Sequence, residues 1–181
     1  RFSGWELVQV LAGANDVFIQ LATLSNGATA AATAAVTAAV PAQIAADIAA
    51  GTCDPANAQT TCVTAAVAKL TPTVGAQAAG AYVQTNAPAA VGAMATAGAE
   101  LAALVNTQIL AKGAKAITVI NVPDMAKTPF ALSQSAATQA LIDQMVTTFN
   151  SQLKAKLSTS SAVLYVDAYA VSQAQFANPA Y

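Results

Sequence analysis

Apolar positions along this chain fall into short β-rich runs separated by long helical stretches. Leu7, Val8, Val10 and Leu11 make residues 6–11 a mostly apolar run. Such a run suits a buried parallel strand better than an alternating surface strand. It stops at the turn residues Gly13-Ala14-Asn15. Asp16 is placed to N-cap a helix whose apolar stripe is Val17, Phe18, Leu21 and Leu24. Ser25-Asn26-Gly27 reads as the end of that helix.

Residues 28–50 are low-complexity Ala, Thr and Val, read as one or two helices with Pro41 as a break or a first-turn residue. Residues 61–84 are helical in pattern but interrupted by Pro72 and Gly75. Residues 89–112 form a helix with Leu101, Leu104, Val105 and Ile109 on one face. Lys112-Gly113 supplies its last-turn cation and C-terminal glycine. Residues 116–121 are a second strand, followed by Val122-Pro123-Asp124-Met125 and a loop to Pro129. Ser133 opens a helix to about residue 157, with the stripe Leu141, Ile142, Met145, Val146, Phe149, Leu153 and Leu157. Residues 162–166 are a third strand ended by Asp167. A short helix runs on to about residue 175, and residues 178–181 form a turn. Strands joined by single helical crossovers imply right-handed βαβ units and a parallel sheet. Three strands are few for a sheet covered on both faces. Either further strands lie outside this chain, or the domain is dominated by helices.

Composition adjusts this picture. The 181 residues suffice for one domain with a core, but 49 are alanine, which buries little area per residue. Charged residues are 8% and the net charge is −1, with no basic run. This argues against a nucleic-acid partner and against an electrostatic membrane anchor. Residues 17–46 and 70–99 carry no charge, yet both are studded with Thr, Gln, Asn, Gly and Pro. They read as soluble Ala-rich helices, with no membrane span expected. The opening Arg1-Phe2-Ser3-Gly4 shows no leader pattern. A secreted protein after leader removal and an internal fragment both read this way.

The chain contains no histidine. A Ser-His-Asp or Cys-His site cannot be completed from these residues alone, and a His-based metal site is excluded. Ser3, Ser25 and Ser133 sit in no Gly-x-Ser-x-Gly elbow and read as caps and surface residues. Cys53 and Cys62 are too far apart for a CxxC motif. The turn residues Asp54, Pro55 and Asn57 between them favour a disulfide-closed loop over two free thiols, and hence an oxidising compartment. Three strand ends carry polar groups: Gly13/Asn15/Asp16, Asn121/Asp124 and Asp167. In a parallel sheet these share one edge, where α/β enzymes place their sites. Asn15 is a candidate amide donor to a developing oxyanion, or a simple turn residue. Asp124 is positioned to hold its own loop, and Asp167 to N-cap the following helix.

Leu11-Ala12-Gly13-Ala14-Asn15-Asp16-Val17-Phe18 resembles the third conserved block of the SGNH (GDSL-type) esterases and lipases. Residues 117–129, with Asn121-Val122-Pro123-Asp124 and Thr128-Pro129, are similar to the "strand, N-x-P-D, loop, T-P" run of secreted and autotransporter-type bacterial members. Residues 163–169 and 176–181 resemble the segment before their last block. The resemblance implies a three-layer α/β/α fold with a parallel sheet, flavodoxin-like and incomplete here. Residues 1–181 would form part of one such domain. Residues 28–87 would be an Ala-rich helical insertion carrying the disulfide loop at 53–62, bordering the substrate cleft by its position.

The implied activity is hydrolysis of carboxylic esters or lipids by a serine nucleophile, with no metal or organic cofactor. In that family a Gly-Asp-Ser block carries the nucleophile. Its N–H, a block-two glycine and the block-three asparagine form the oxyanion hole. An Asp-x-x-His block supplies the base. Only the asparagine maps here, onto Asn15; three residues after Asp167 stands Ala170, not histidine. The chain thus resembles the middle of a secreted or cell-surface hydrolase. Its partners would be an ester or lipid substrate and the missing N- and C-terminal segments. The competing readings are a non-catalytic Ala-rich helical binding module and an inactive proteolytic fragment.

Overall fold

Val, Ile and Leu fit the pleated surface of a strand, and the three short runs rich in them become β1 (Leu7–Leu11), β2 (Ala116–Ile120) and β3 (Val163–Val166). The computed structural model describes residues 1–178; all but the first residue of the turn expected at 178–181 lies outside them. The strands pair in parallel in the order β1-β2-β3, with Leu11 opposite Ile120 and Ile120 opposite Val166. Between them run α1 (Ala14–Ala49), α2 (Thr61–Leu70), α3 (Ala76–Leu104), α4 (Pro129–Leu132), α5 (Ala136–Lys156) and α6 (Ala168–Ala177). The protein is therefore mixed α/β, mostly helical with a small parallel sheet. Two compact units divide it: residues 1–21 with 89 onward, and residues 22–88.

In the first unit, residues paired in parallel register share a face of the sheet. Val8, Val10, Ile117, Val119, Val163 and Tyr165 lie on one face, and Leu7, Leu11, Ile120 and Leu164 on the other. Ile117 and Val119 are fully buried, as are Met145, Val146, Phe149 and Leu153 of α5. The opposite face is bare: Leu7 and Leu11 are each 64% exposed and Leu164 61%. Strand order explains the asymmetry. Both crossovers step across the sheet in the same direction, and right-handed crossovers that step one way fall on one face. A helix on the other face requires a strand step in the reverse direction, beyond the open edge of β1.

The stripe on α5 is as expected, but Ser135, not Ser133, caps it by accepting from the Thr138 N–H. The stripe on α3 is different. Its buried positions are Ala90, Met94, Gly98 and Ala102, continuing to Val105, while Leu104 is exposed. Small residues win there because α3 lies against the α5 backbone. A Cβ at Gly98 would collide with the carbonyl of Phe149. Residues 105–112 then loosen into π and 3-10 turns ending at Gly113, in the left-handed conformation expected of that cap.

In the second unit, α1 does not stop at Gly27 and does not break at Pro41; both lie inside one helix. Gly27 serves as a contact surface, its missing Cβ making room for the Tyr82 ring. Pro41 removes one intrahelical bond in a segment otherwise built of good helix formers. Farther along, Gly75 lies against Val36, and Lys69 Nζ binds Asp47 Oδ1 at 2.7 Å. The pairs 27/82, 36/75 and 47/69 define an antiparallel helical hairpin. Pro72 and Gly75 produce a π turn (Thr71–Gly75) between α2 and α3 rather than an interruption. The hairpin tip is closed by the Cys53–Cys62 disulfide, as the turn residues predicted. Asp47, 7% exposed, also accepts the Thr52 and Cys53 amides on its carbonyl, tying the loop to α1.

Two helical stretches, Ala14–Ala49 and Thr61–Lys112, are long and apolar enough by length and composition to cross a membrane. On those two criteria the expectation that neither uncharged stretch qualifies is corrected. Several threonines within them bond back to the preceding turn: Thr29 donates to the Ser25 carbonyl, Thr33 to that of Thr29 and Thr71 to that of Val67.

Gly98→Ala should lower stability by about 1–3 kcal/mol through overpacking, despite alanine's better helix propensity. Gly92→Ala, on the same helix with open space at its Cβ position, should be neutral or stabilising by up to ~1 kcal/mol. Urea denaturation of both variants checks this; equal effects would refute the close approach. Reducing the disulfide should cost roughly 2–3 kcal/mol on the chain-entropy model, read by the same measurement with and without reductant.

Candidate functional site

Strand β1 delivers the chain to Gly13, whose φ of +113° is a conformation that side-chain-bearing residues rarely adopt. A Cβ there would also stand 2.5 Å from Phe149 Cζ and 2.8 Å from Val122 Cγ2. Only glycine can make this turn. Its carbonyl accepts the Val17 N–H at 3.3 Å, so Gly13 occupies the cap position of α1. Asp16 is not the cap. It sits in the first turn, where its charge suits the positive end of the helix. Asn15, one residue earlier, is exposed, and its side-chain amide makes no hydrogen bond among the described residues. Gly13 touches Val122 beyond β2 across the edge. The Gly13-Ala14-Asn15 turn and the β2 end are therefore neighbours at the carboxyl end of the sheet.

The other strand-end residues form one network. Asn121, 2% exposed, donates from Nδ2 to Tyr165 Oη at 2.8 Å and to Asp167 Oδ1 at 2.9 Å. Its Oδ1 accepts the Tyr169 N–H at 3.0 Å. A side chain so committed clasps β2 to β3 and to the start of α6. Asp167 Oδ1 also accepts the Ala170 N–H and caps α6, the role its position suggested. Asp124 accepts the Ala126 N–H at 3.0 Å, which holds its own loop. Its backbone N–H donates to Ser172 Oγ of α6 at 2.9 Å. Thr128 caps α4.

Other residues of this region, Asn150, Asp143, Lys154, Tyr165 and Tyr169, were not singled out from the sequence. Asn150 exchanges two hydrogen bonds with the backbone of Val122, at 2.9 and 2.7 Å, and locks α5 to the strand end. The signal was available: an amide at position 150 interrupts the apolar face made by Val146, Phe149 and Leu153. Tyr169 donates to Asp143 Oδ1 at 2.6 Å. Burial, then the hydrogen bond to Asp143 and its negative charge, push the Tyr169 hydroxyl well above the usual tyrosine range. Burial likewise raises Tyr165, helped by the charge of Asp167. Lys154 Nζ stands 5.4 Å from the centre of the Tyr165 ring.

The structure thus joins Asn121 with Asp167 and ties the Asp124 loop to α6. Asn15 it leaves unbonded beside the β2 end. Ser3 donates to the Glu6 carboxylate and Ser133 to the Phe130 carbonyl, both local bonds three residues long on the exposed surface. Comparison with protein-family models, with curated proteins and with solved structures found no match.

The Ala170 N–H, then the Asn121 amide, hold the Asp167 carboxyl below the ordinary range, with Lys154 adding to the effect. A depressed folded value means that stability is gained above the unfolded pKa, near 3.9, and lost as pH falls through the folded one. Asp167→Asn should therefore flatten the acid limb of stability below about pH 4. Urea midpoints of both proteins between neutral pH and strong acid measure this; parallel curves would remove Asp167 from the acid response.

Proposed function

We propose that this chain is the central part of a serine ester hydrolase of the SGNH type, with Asn15 as an oxyanion-hole donor. The observation that carries the reading is the unbonded Asn15 amide, presented at the carboxyl end of β1 by a turn that only glycine can make. Such an amide costs no internal hydrogen bond when it turns to a substrate oxygen. A carbonyl oxygen gaining negative charge during attack would be met by Asn15 Nδ2–H, a donor typically worth about 2.7–4 kcal/mol in the transition state.

The nucleophilic serine and the His-Asp base belong, on this reading, to flanking segments of the same protein. The bare face bearing Leu7, Leu11 and Leu164, and the open edge of β1, are where those segments would add strands and helices. This would complete a three-layer, flavodoxin-like sandwich, since parallel sheets are normally covered on both faces. Residues 28–87 are read as a helical insertion. The disulfide fits a secreted or cell-surface location. The substrate is a carboxylic ester or lipid, and the reaction needs no metal or organic cofactor.

In the protein with its Ser- and His-bearing segments, Asn15→Ala should lower kcat on a short-chain p-nitrophenyl ester by roughly 10²–10³-fold. A near-normal kcat would remove Asn15 from the oxyanion hole. The 181-residue chain alone should show no turnover, and clear serine-esterase activity from it would refute the placement of the missing parts.

A further inference from the structure

A second feature lies at the same sheet edge, beyond β2 and β3. A cavity of about 270 Å³ opens between the Asp124 loop, α5 and α6. Asp124, Lys127, Gln139, Asp143, Tyr169 and Gln173 line it together with Ala126 and Ala140, so that polar surface predominates over apolar. Asp124 is 3% exposed. One of its carboxylate oxygens is held by the Ala126 amide, while Oδ2 accepts no hydrogen bond among the described residues. Asp143 is arranged alike: Oδ1 takes the Tyr169 hydroxyl, which in turn accepts from Gln173 Nε2 at 3.0 Å, and Oδ2 is open. Lys127 Nζ has no partner among the described residues.

We propose that this cavity binds a neutral polyhydroxyl group, a sugar or polyol. The lining itself selects that class. Two carboxylates repel an anion, and Lys127 opposes a cation. A wall in which polar groups predominate is a poor seat for an acyl chain, which would leave the carboxylates and amides without partners. A hydroxyl group both donates and accepts. It can give its proton to Asp124 Oδ2 or Asp143 Oδ2 while accepting from Lys127 or a glutamine amide. Hydrogen bonds to ionised carboxylates are the strong kind. The Tyr169–Asp143 and Asp124–Ala126 bonds fix both carboxylates before any ligand arrives, which lowers the ordering cost of binding. The volume lies at the small end of ligand pockets and matches one ring or short polyol.

The proposal stands apart from the hydrolase reading, because binding is read directly and without turnover. Methyl α-glucoside and glycerol are titrated separately into the ¹⁵N-labelled 181-residue chain and followed by amide chemical shifts. Saturable shifts confined to Ala126, Lys127, Ala140, Tyr169 and Gln173 are expected with at least one probe; the tighter one tells a ring from an open chain. Asp143→Asn keeps the acceptor for Tyr169 and should weaken binding about tenfold or more. Asp124→Asn should do the same, and if it fails to fold, Asp143→Asn decides alone. No saturable shift with either probe would overturn the proposal. So would equal shifts from methylammonium or calcium chloride, or unchanged affinity in Asp143→Asn.

Discussion

The whole arrangement depends on a constraint of handedness. Three parallel strands laid down in sequential order step one way across the sheet, and right-handed crossovers that step one way leave the sheet on the same face. The core then forms between Ile117, Val119 and the apolar stripe of α5. The leucines of the other face are left facing outward, not because the sequence is polar there but because no strand step reverses direction. A leucine-rich parallel strand exposed on one face is a surface shaped for covering. It is the main physical support for the proposal that further layers cover this sheet.

The carboxyl edge of this sheet is rigid where amides clamp it and open where they do not. Asn121 and Asn150 spend their hydrogen bonds inside the protein, the first joining β2 to β3 and α6, the second joining Val122 to α5. Their burial would be costly otherwise, since a buried polar group without partners is destabilising. Asn15 is the same chemical group in the opposite condition, exposed and uncommitted. Three asparagines within one sheet edge thus divide into two that build the scaffold and one that is available. The Asp124–Asp143–Tyr169 cluster stands on that clamped scaffold, so the positions of its carboxylates follow from the fold and not from flexible loops.

Where the sequence was legible, large side chains or capping chemistry carried the signal. The strands, the α5 stripe, Asp167 as a cap and the cysteine loop were all visible from residue type and spacing. From Ala28 to Ala50 the helical state was legible but its limits were not, because alanine and threonine give no periodicity to read and helix propensity overrides Gly27 and Pro41 as stop signals. On α3 the large residues Leu101 and Leu104 misdirected the reading of the buried face. What decides it is the absence of a side chain at Gly98, and an absence has no hydrophobic signature. Asp16 looked like a cap by type, but the capping place was taken by the residue whose φ had to be positive. The clasping role of Asn121 depends on residues 44 to 48 positions away, which no local pattern contains.

The antiparallel hairpin has a consequence for the order in which the chain can assemble. β1 and β2 are about 110 residues apart in sequence, and bringing such distant segments together costs conformational entropy that grows with the length of the intervening loop. The hairpin consists of contacts made locally, about its own tip, and can form first. Once formed, it places residues near 22 beside residues near 88 and shortens the effective closure from the full span to the flanking few dozen residues. Low-contact-order helices would thereby act as a splint for a high-contact-order sheet. Replacing the hairpin by a flexible linker of equal length would restore the full closure cost and slow the pairing of β1 with β2.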